Sequence, residues 1–210
     1  MPTTPLVTDD QPRRSRRAGR RKLIALDAAA KVIAERGADA ARFVDVASEC
    51  GLAVSTLQYY FGSREDMLVA AFRHASETEL ATLAGELTQR EDPWEKIVFL
   101  IEDALSGYIP GDDKGPLWIE AWRFGLRDEE MRADVQRDYA TWQSFLVDAV
   151  NEGLTNERFV MGFDADQFAI LALALVDGIG LRLAVADPLV RIEEASSIIR
   201  TSLATLLNVA

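Results

Sequence analysis

Residues suited to catalysis or metal binding are scarce in this sequence. One cysteine and one histidine, Cys50 and His74, occur in 210 residues. A single thiol excludes an internal disulfide framework and a zinc site built from several thiolates. A Ser-His-Asp triad would need His74, and the chain contains neither a Gly-x-Ser-x-Gly elbow nor a phosphate-binding glycine loop. We therefore predict no metal, no cofactor and no enzyme activity, and the 34 acidic residues leave an enzyme with paired carboxylates as the alternative.

Charge divides the chain into two unequal parts. The formal charge is −11, yet residues 1–73 contain 12 lysines and arginines against 9 acidic residues. Residues 74–210 contain 11 against 25. Seven basic residues stand within Arg13–Lys22, with no acid among them. Only the first part is therefore suited to a polyanion such as nucleic acid. A non-specific architectural DNA binder is a further alternative, but we expect such a protein to be basic overall.

The segment Phe43–Phe61 carries the most specific pattern. Apolar spacing predicts two short helices, Phe43–Cys50 and Val54–Phe61. Between them, Ala47 is small enough for a close helix crossing, and Gly51 tolerates the positive φ of a tight turn. Five residues stand at inward positions: Val46, Cys50, Leu52, Leu57 and Tyr60. The segment therefore fits a helix-turn-helix.

The elements around this segment also have helical spacing, so we predict an all-α fold. The further predicted helices are Ser63–Leu87, Pro93–Tyr108, Pro116–Leu126, Glu129–Gly153, Ala165–Ala186 and Pro188–Leu207. Only residues 160–163 could be a strand. The N-terminus has no apolar secretory core, and the apolar residues 168–185 are interrupted by Asp177 and Arg182. We therefore expect a cytoplasmic protein with a buried helix there and no membrane partner.

Residues about 20–68 closely resemble the DNA-binding domain of TetR-family transcriptional regulators. The matching residues are Ala28-Ala29, Gly37, Asp45-Val46-Ala47, Gly51-Leu52, Thr56-Leu57, Tyr60-Phe61 and Ser63-Arg64-Glu65. Arg42 and Ala53 depart from the family, which commonly has helix-capping hydroxyl residues at these positions. The resemblance implies a three-helix helix-turn-helix domain followed by a larger helical bundle for ligand binding and dimerisation. The expected division is a disordered Arg-rich arm at 1–19, the DNA-binding domain at 20–68 and the ligand-binding and dimerisation domain at 69–210.

The resemblance also assigns candidate DNA contacts. Helix Val54–Tyr60 would enter the major groove as the recognition helix. Gln58 can pair bidentately with adenine and is our first candidate for base readout. Arg64 would grip phosphate where the family has a lysine, and residues 13–22 could reach the minor groove as a flexible arm. The full set of predicted contacts is Arg42, Val54, Ser55, Thr56, Gln58, Tyr59, Tyr60 and Arg64.

The acidic part of the chain holds all four tryptophans. Trp118 and Trp122 share one helix face, and Tyr139, Trp142 and Phe145 share another. Ordinary core packing would explain such residues, but an apolar ligand cavity with a few polar anchors would use them as well. Aromatic cages among acidic residues also make a cationic ligand conceivable. The predicted pocket residues are Phe99, Trp118, Trp122, Trp142, Phe145 and Asp177.

The last two helices have apolar stripes suited to a dimer interface. Its predicted residues are Phe168, Leu175, Ile179, Ile199 and Leu203, with Gly178 and Gly180 permitting close approach. In the family such helices form a four-helix bundle with their copies, which implies a homodimer on a palindromic operator. We therefore expect a ligand-responsive, sequence-specific regulator, most simply a repressor. Its partners would be double-stranded operator DNA, a second copy of itself and a small-molecule inducer of unknown identity.

Overall fold

The computed structural model describes residues 11–109 and 112–209, and these residues form nine α-helices without a strand. Short loops join the helices, and Val160–Phe163 is irregular chain rather than the strand that the sequence left open. The predicted all-α class is therefore confirmed. The helices are α1 (Gln11–Arg36), α2 (Phe43–Cys50), α3 (Val54–Phe61), α4 (Arg64–Leu87), α5 (Pro93–Ser106), α6 (Lys114–Gly125), α7 (Glu129–Thr155), α8 (Ala165–Ala184) and α9 (Ile192–Leu207).

Helices α1, α2 and α3 form a small head, whose core also includes residues of α4, α6 and α7. Helices α2 and α3 have the predicted bounds. Gly51 ends α2 with φ 69°, and its N–H donates to the carbonyl of Ala47. Behind this turn Val46 and Leu57 are fully buried. The turn glycine and the inward apolar residues thus produce the helix-turn-helix that the sequence predicted.

Helix α4 connects the head to the rest of the molecule. Ser63 caps its start by accepting from the N–H of Asp66, whose carboxylate accepts in turn from the N–H of Ser63. Its 24 residues span about 36 Å. The first half buries Met67 and Phe72 in the core of the head. The second half buries Leu83 in a separate core formed with α5, α7, α8 and α9.

Aspartate caps begin the helices that surround this second core. Asp92 accepts from the N–H groups of Trp94 and Glu95 at the start of α5. Asp128 and Asp164 do the same for Met131 in α7 and Gln167 in α8. Such caps satisfy N–H groups that the helix leaves unpaired, and each contributes about 1 kcal/mol.

Both ends of the chain depart from the sequence prediction. Helix α1 begins at Gln11, so residues 11–19 are helical instead of disordered, because arginine and alanine favour a helix and few helix breakers interrupt them. Residues 1–10 of the predicted arm lie outside the described residues. The last helix begins at Ile192 rather than Pro188, because Asp187 accepts from Arg182 Nε and the Leu189 N–H and forms a turn.

Candidate DNA-binding surface and ligand cavity

Helix α3 presents three of the predicted DNA contacts on its outer face. Ser55 and Gln58 are exposed, and the side chain of Tyr59 is 85% exposed. Leu57 and Phe61 lie buried on the opposite face. The three side chains therefore form a polar and aromatic surface that is open to a partner.

The remaining α3 candidates are partly buried. Val54 and Thr56 are half-buried at the start of the helix, and Tyr60 packs against the core of the head. The Tyr60 ring also lies 6.0 Å from the Tyr59 ring, measured between centroids. Arg42, at the start of α2, is exposed. Tyr60 therefore has a packing role whether or not its hydroxyl meets phosphate.

Arg64, a predicted phosphate contact, is held within the free protein by its own hydrogen bonds. Its Nε donates to the carbonyl of Ala41 at 2.7 Å, and a terminal nitrogen donates to the carbonyl of Ala38. The other terminal nitrogen lies 3.3 Å from Glu65. The guanidinium thus ties the loop between α1 and α2 to α4, because two nitrogens of its planar fork donate to two different carbonyls.

Replacing Arg64 by alanine should therefore destabilise the head. We expect the free energy of unfolding to fall by ~1–2 kcal/mol and the melting temperature by roughly 3–6 °C, since two charge-assisted hydrogen bonds disappear. Thermal unfolding followed by circular dichroism measures this change. Arg42→Ala, at an exposed site on the same surface, is the control. Equal melting temperatures for the two variants would refute the structural role of Arg64.

A cavity lined mainly by aromatic residues lies among α4, α5, α6, α7 and α8. Its volume is about 50 Å³, which is room for one or two water molecules, so a larger ligand would require the lining side chains to move apart. The three rings of Trp118, Trp122 and Tyr139 lie 6.1–6.3 Å apart by their centroids. The lining residues are Glu79, Ala104, Tyr108, Trp118, Trp122, Tyr139, Trp142, Leu173, Val176 and Asp177.

Glycines position the Tyr108 ring in this wall. A β-carbon on Gly180 in α8 would stand 2.3 Å from the ring, and one on Gly115 in α6 would stand 2.6 Å from it. Side chains at either position would therefore displace the ring. Gly180, which the sequence assigned to close approach between subunits, instead accommodates an aromatic residue of the same chain.

Two carboxylates reach this cavity. Asp177 accepts a hydrogen bond from the Tyr139 hydroxyl at 2.7 Å, and burial raises the pKa of the carboxyl despite this bond. Burial also raises the pKa of Glu79, against the opposing effect of the nearby Lys114 ammonium. The Tyr108 hydroxyl has its pKa raised to about 12, first by burial and then by Asp177 and Glu79. Burial thus opposes ionisation of both carboxyls, and in their ionised forms they place two negative charges beside the aromatic rings.

Four of the six predicted pocket residues line the cavity, namely Trp118, Trp122, Trp142 and Asp177. Phe99 does not, because its ring lies under the Arg90 guanidinium at 3.7 Å. Phe145 packs against the second core. Sequence reasoning missed Glu79, Tyr108 and Tyr139 as pocket residues. Tyr139 shared the helix face of Trp142 and could have been added, whereas nothing local distinguishes Glu79 from other acidic residues on α4.

Helix α6 joins the cavity directly to the head. Between its two cavity tryptophans, Glu120 accepts a hydrogen bond from the backbone N–H of Ala38 at 2.6 Å. Arg123 holds Glu120 and also donates to Asp39 at 2.8 Å. Burial opposes the Glu120 charge, but the bonds from Arg123 and Ala38 outweigh it and lower the pKa of Glu120. The loop after α1 is thus held by α6 on one side and by Arg64 on the other.

The predicted dimer stripe needs correction. Phe168, Ile199 and Leu203 are fully buried within one protomer, and Leu175 and Ile179 are half-buried against the same core. These side chains fill the protomer's own core, so the first three are not available to a partner. A different stripe of α8 is exposed, formed by Ile170, Leu171, Ala174, Gly178, Leu181 and Val185.

Helix α8 is long and apolar enough to cross a membrane by length and composition alone, with a mean hydropathy of 1.7 over its most apolar window. Only 28% of that window is buried. Its inner face nevertheless packs against α7 and α9, and Asp177 on it meets Tyr139 of α7. An apolar outer stripe on a packed helix is characteristic of a protein interface.

Comparison with known families identifies both parts of the chain. Residues 25–71 match the family of bacterial regulatory proteins of the tetR type. Residues 93–208 match the C-terminal domain of BetI-type transcriptional repressors. The first range contains the helix-turn-helix, and the second contains α5 to α9 with most of the cavity wall.

Individual relatives agree with these matches. The BetI transcriptional regulator of Brucella anthropi is 26% identical over 163 residues, covering 78% of this chain and 80% of that protein. BetI of Rhizobium meliloti is 25% identical over 174 residues, covering 83% and 82%. A transcriptional regulator from Saccharomonospora viridis, solved in complex with choline, has a TM-score of 0.81 and 26% identity and covers 90% of this chain and 96% of its own. The fold, the two family matches and these relatives lead to one conclusion: the chain belongs to the TetR family of bacterial transcriptional regulators and has a BetI-type C-terminal domain.

Proposed function

We propose that this regulator senses a quaternary ammonium compound of the choline type. The observation that carries the proposal is the cavity itself, in which aromatic rings surround a small volume beside Asp177 and Glu79. The relative from Saccharomonospora viridis was solved in complex with choline, which supports the same ligand class.

The chemistry of a quaternary ammonium fits these residues. Such a cation has no N–H to donate, so carboxylates alone cannot hold it by hydrogen bonds. The faces of tryptophan and tyrosine rings attract it electrostatically, by about 2 kcal/mol or more at a desolvated site. Asp177 and Glu79 then supply the balancing negative charge. Tyr139 orients Asp177 by its hydrogen bond and keeps one carboxylate oxygen occupied.

We propose that residues 20–68 form the DNA-binding domain and residues 69–210 the ligand-binding and dimerisation domain. The exposed residues of α3 would contact the DNA. Gln58 would read a base, while Ser55, Thr56 and Tyr59 would contact phosphate or base edges. Exposed basic residues of α1, among them Arg16, Arg17 and Arg20, would extend the positive surface as a helix. The protein would act in the cytoplasm, where its operator is.

A homodimer supplies two recognition helices. The exposed stripe of α8 would pack against the same stripe of a second copy. No atom lies within 4 Å of a β-carbon placed on Gly178, so the two helices could approach closely there. Two heads then fit successive major grooves only when they lie about 34–36 Å apart. This geometry implies a palindromic operator.

Release from DNA would follow from movement of α6. A cation at Trp118 and Trp122 favours one position of this helix, and Glu120 transmits that position to Ala38 in the head. The ligand shifts the equilibrium only by its differential affinity for the two positions. The simplest outcome is a repressor that an inducer releases.

The ligand proposal predicts a pH dependence. Protons compete with the cation for Asp177 and Glu79, whose pKa values burial raises above their ordinary 3.8 and 4.5. Affinity for choline should therefore fall as pH is lowered towards these raised pKa values, at a higher pH than carboxyls with ordinary pKa values would require, because the protonated forms gain population. Quenching of Trp118, Trp122 and Trp142 fluorescence measures the binding.

Asp177→Asn is the test variant for this dependence. It keeps the acceptor for Tyr139 but removes the charge, so affinity should fall by roughly tenfold or more and the pH dependence should shrink to that of Glu79. Asp148→Asn, on α7 outside the cavity, is the matched control. Choline binding with the wild-type affinity and pH profile in Asp177→Asn would contradict the proposal.

A further inference from the structure

Lys114 faces the cavity carboxylates and sets how tightly they can hold an external cation. We propose that the Lys114 ammonium is a tethered competitor of the ligand: it pairs with Glu79 in the empty protein and is displaced from Glu79 when a quaternary ammonium binds. This inference rests on the proposed ligand class and adds a residue that determines affinity. Lys114 lies outside the wall of the aromatic cavity.

The position of Glu79 makes such competition possible. Glu79 and Trp118 line both the aromatic cavity and a second cavity of about 280 Å³ between α4 and α6. Lys114 and Asp103 line the second cavity only. One carboxylate, 14% exposed, therefore stands between a built-in cation on one side and the aromatic rings on the other.

The contacts of Lys114 leave Glu79 free to change partner. The ammonium lies 3.6 Å from Glu79 and 3.3 Å from Asp103, so Asp103 still balances the lysine charge after Glu79 turns to a ligand. The Lys114 side chain is 39% exposed and can swing towards water at small cost. Displacement therefore leaves no buried charge unpaired.

The location of Lys114 in α6 indicates that its positive charge is stabilised by these carboxylates. It is the first residue of α6, where the helix dipole disfavours a positive side chain. The backbone there is fixed by the Gly115 N–H, which donates to the Gly107 carbonyl at 3.0 Å. The ammonium is thus presented to Glu79 and Asp103 by a rigid start of the helix that carries Trp118 and Glu120.

The test compares Lys114→Met with the wild-type protein in binding choline and its uncharged isostere 3,3-dimethylbutan-1-ol. Removing the competing cation should tighten choline binding by roughly five- to tenfold, a value reduced for the partial exposure of the lysine. Affinity for the uncharged isostere should stay unchanged, since it has no charge to compete. Lys96→Met is the matched control, because Lys96 pairs with Glu152 away from both cavities.

Any of four results would overturn the inference. Choline affinity that is unchanged or weaker in Lys114→Met excludes competition, and equal tightening of both compounds shows a change of shape instead of charge. Lys114→Gln, which keeps a polar side chain, must tighten choline binding as well, and circular dichroism verifies the fold of both variants. A wild-type protein that binds no quaternary ammonium overturns the proposed function together with the inference, and so differs from a failure of Lys114 alone.

Discussion

Replacing Leu171 and Leu181 together by glutamate should leave the protein monomeric and weaken operator binding by about a hundredfold or more, because one head loses the avidity of two. Both residues lie on the uncovered stripe of α8 and are 39% and 48% exposed in the protomer. Their replacement therefore costs the protomer little stability. In a dimer it places like charges on both sides of an apolar contact.

Light scattering after size-exclusion chromatography reports the mass, and fluorescence anisotropy reports operator affinity. Leu126→Glu is the control, since Leu126 is exposed at the end of α6 and lies outside the stripe. Circular dichroism separates loss of association from loss of fold. A folded double variant that remains a dimer would place the interface elsewhere.

The second large effect concerns the contact between α6 and the head. Glu120→Ala should bind choline as the wild type does but lose most of its response on DNA. The alanine leaves the Ala38 N–H without its acceptor and Arg123 without a partner on α6. Because coupling free energies between sites are about 1–3 kcal/mol, the ligand's effect on operator affinity should fall by up to ~150-fold.

Glu120→Gln separates the two contacts. It keeps an acceptor for Ala38 but weakens the pair with Arg123, so we expect partial coupling. Glu102→Ala is the control, because Glu102 forms an ion pair with Arg200 away from the loop after α1. The measurement is operator affinity with and without saturating choline. Full release of Glu120→Ala from DNA by choline would exclude this route.

The head could be predicted from sequence because its signals are local. Gly51 and Ala47 determine the turn and the crossing, and the bounds of α2 and α3 follow from residues within them. The start of α4 after Ser63 is likewise determined by a cap three residues from its partner. Arg64 was assigned to phosphate by resemblance to the family, and no local signal revealed its carbonyl partners in the loop before α2, which lie 23 and 26 positions away.

Periodicity could not separate the core face of α8 from its exposed face. Helix α8 is apolar on nearly all sides, so positions on both faces recur at helical spacing. Tertiary packing decides between them, and the protomer core takes Phe168, whereas Gly178 stays exposed. The surface of α8 that meets a partner stays a prediction.

The ligand cavity could be predicted from the sequence in part. The large aromatic residues of α6 and α7 could be recognised as candidate pocket residues by their type, because ligand pockets are lined mainly by apolar and aromatic side chains. Glu79 and Tyr108 come from α4 and from the end of α5, and only the assembled bundle brings them to the same cavity. Burial, which raises the pKa of Glu79, is a property of that assembly.

We expect a quaternary ammonium in the aromatic cavity to control DNA binding. The most direct test of this expectation is fluorescence anisotropy of the purified protein on labelled DNA from upstream of its own gene, beside a scrambled duplex. Choline and 3,3-dimethylbutan-1-ol are titrated into the complex at equal concentrations. Choline should release the specific duplex, and the uncharged isostere should have little effect. An intact complex at choline concentrations that saturate the tryptophan fluorescence change would contradict this expectation.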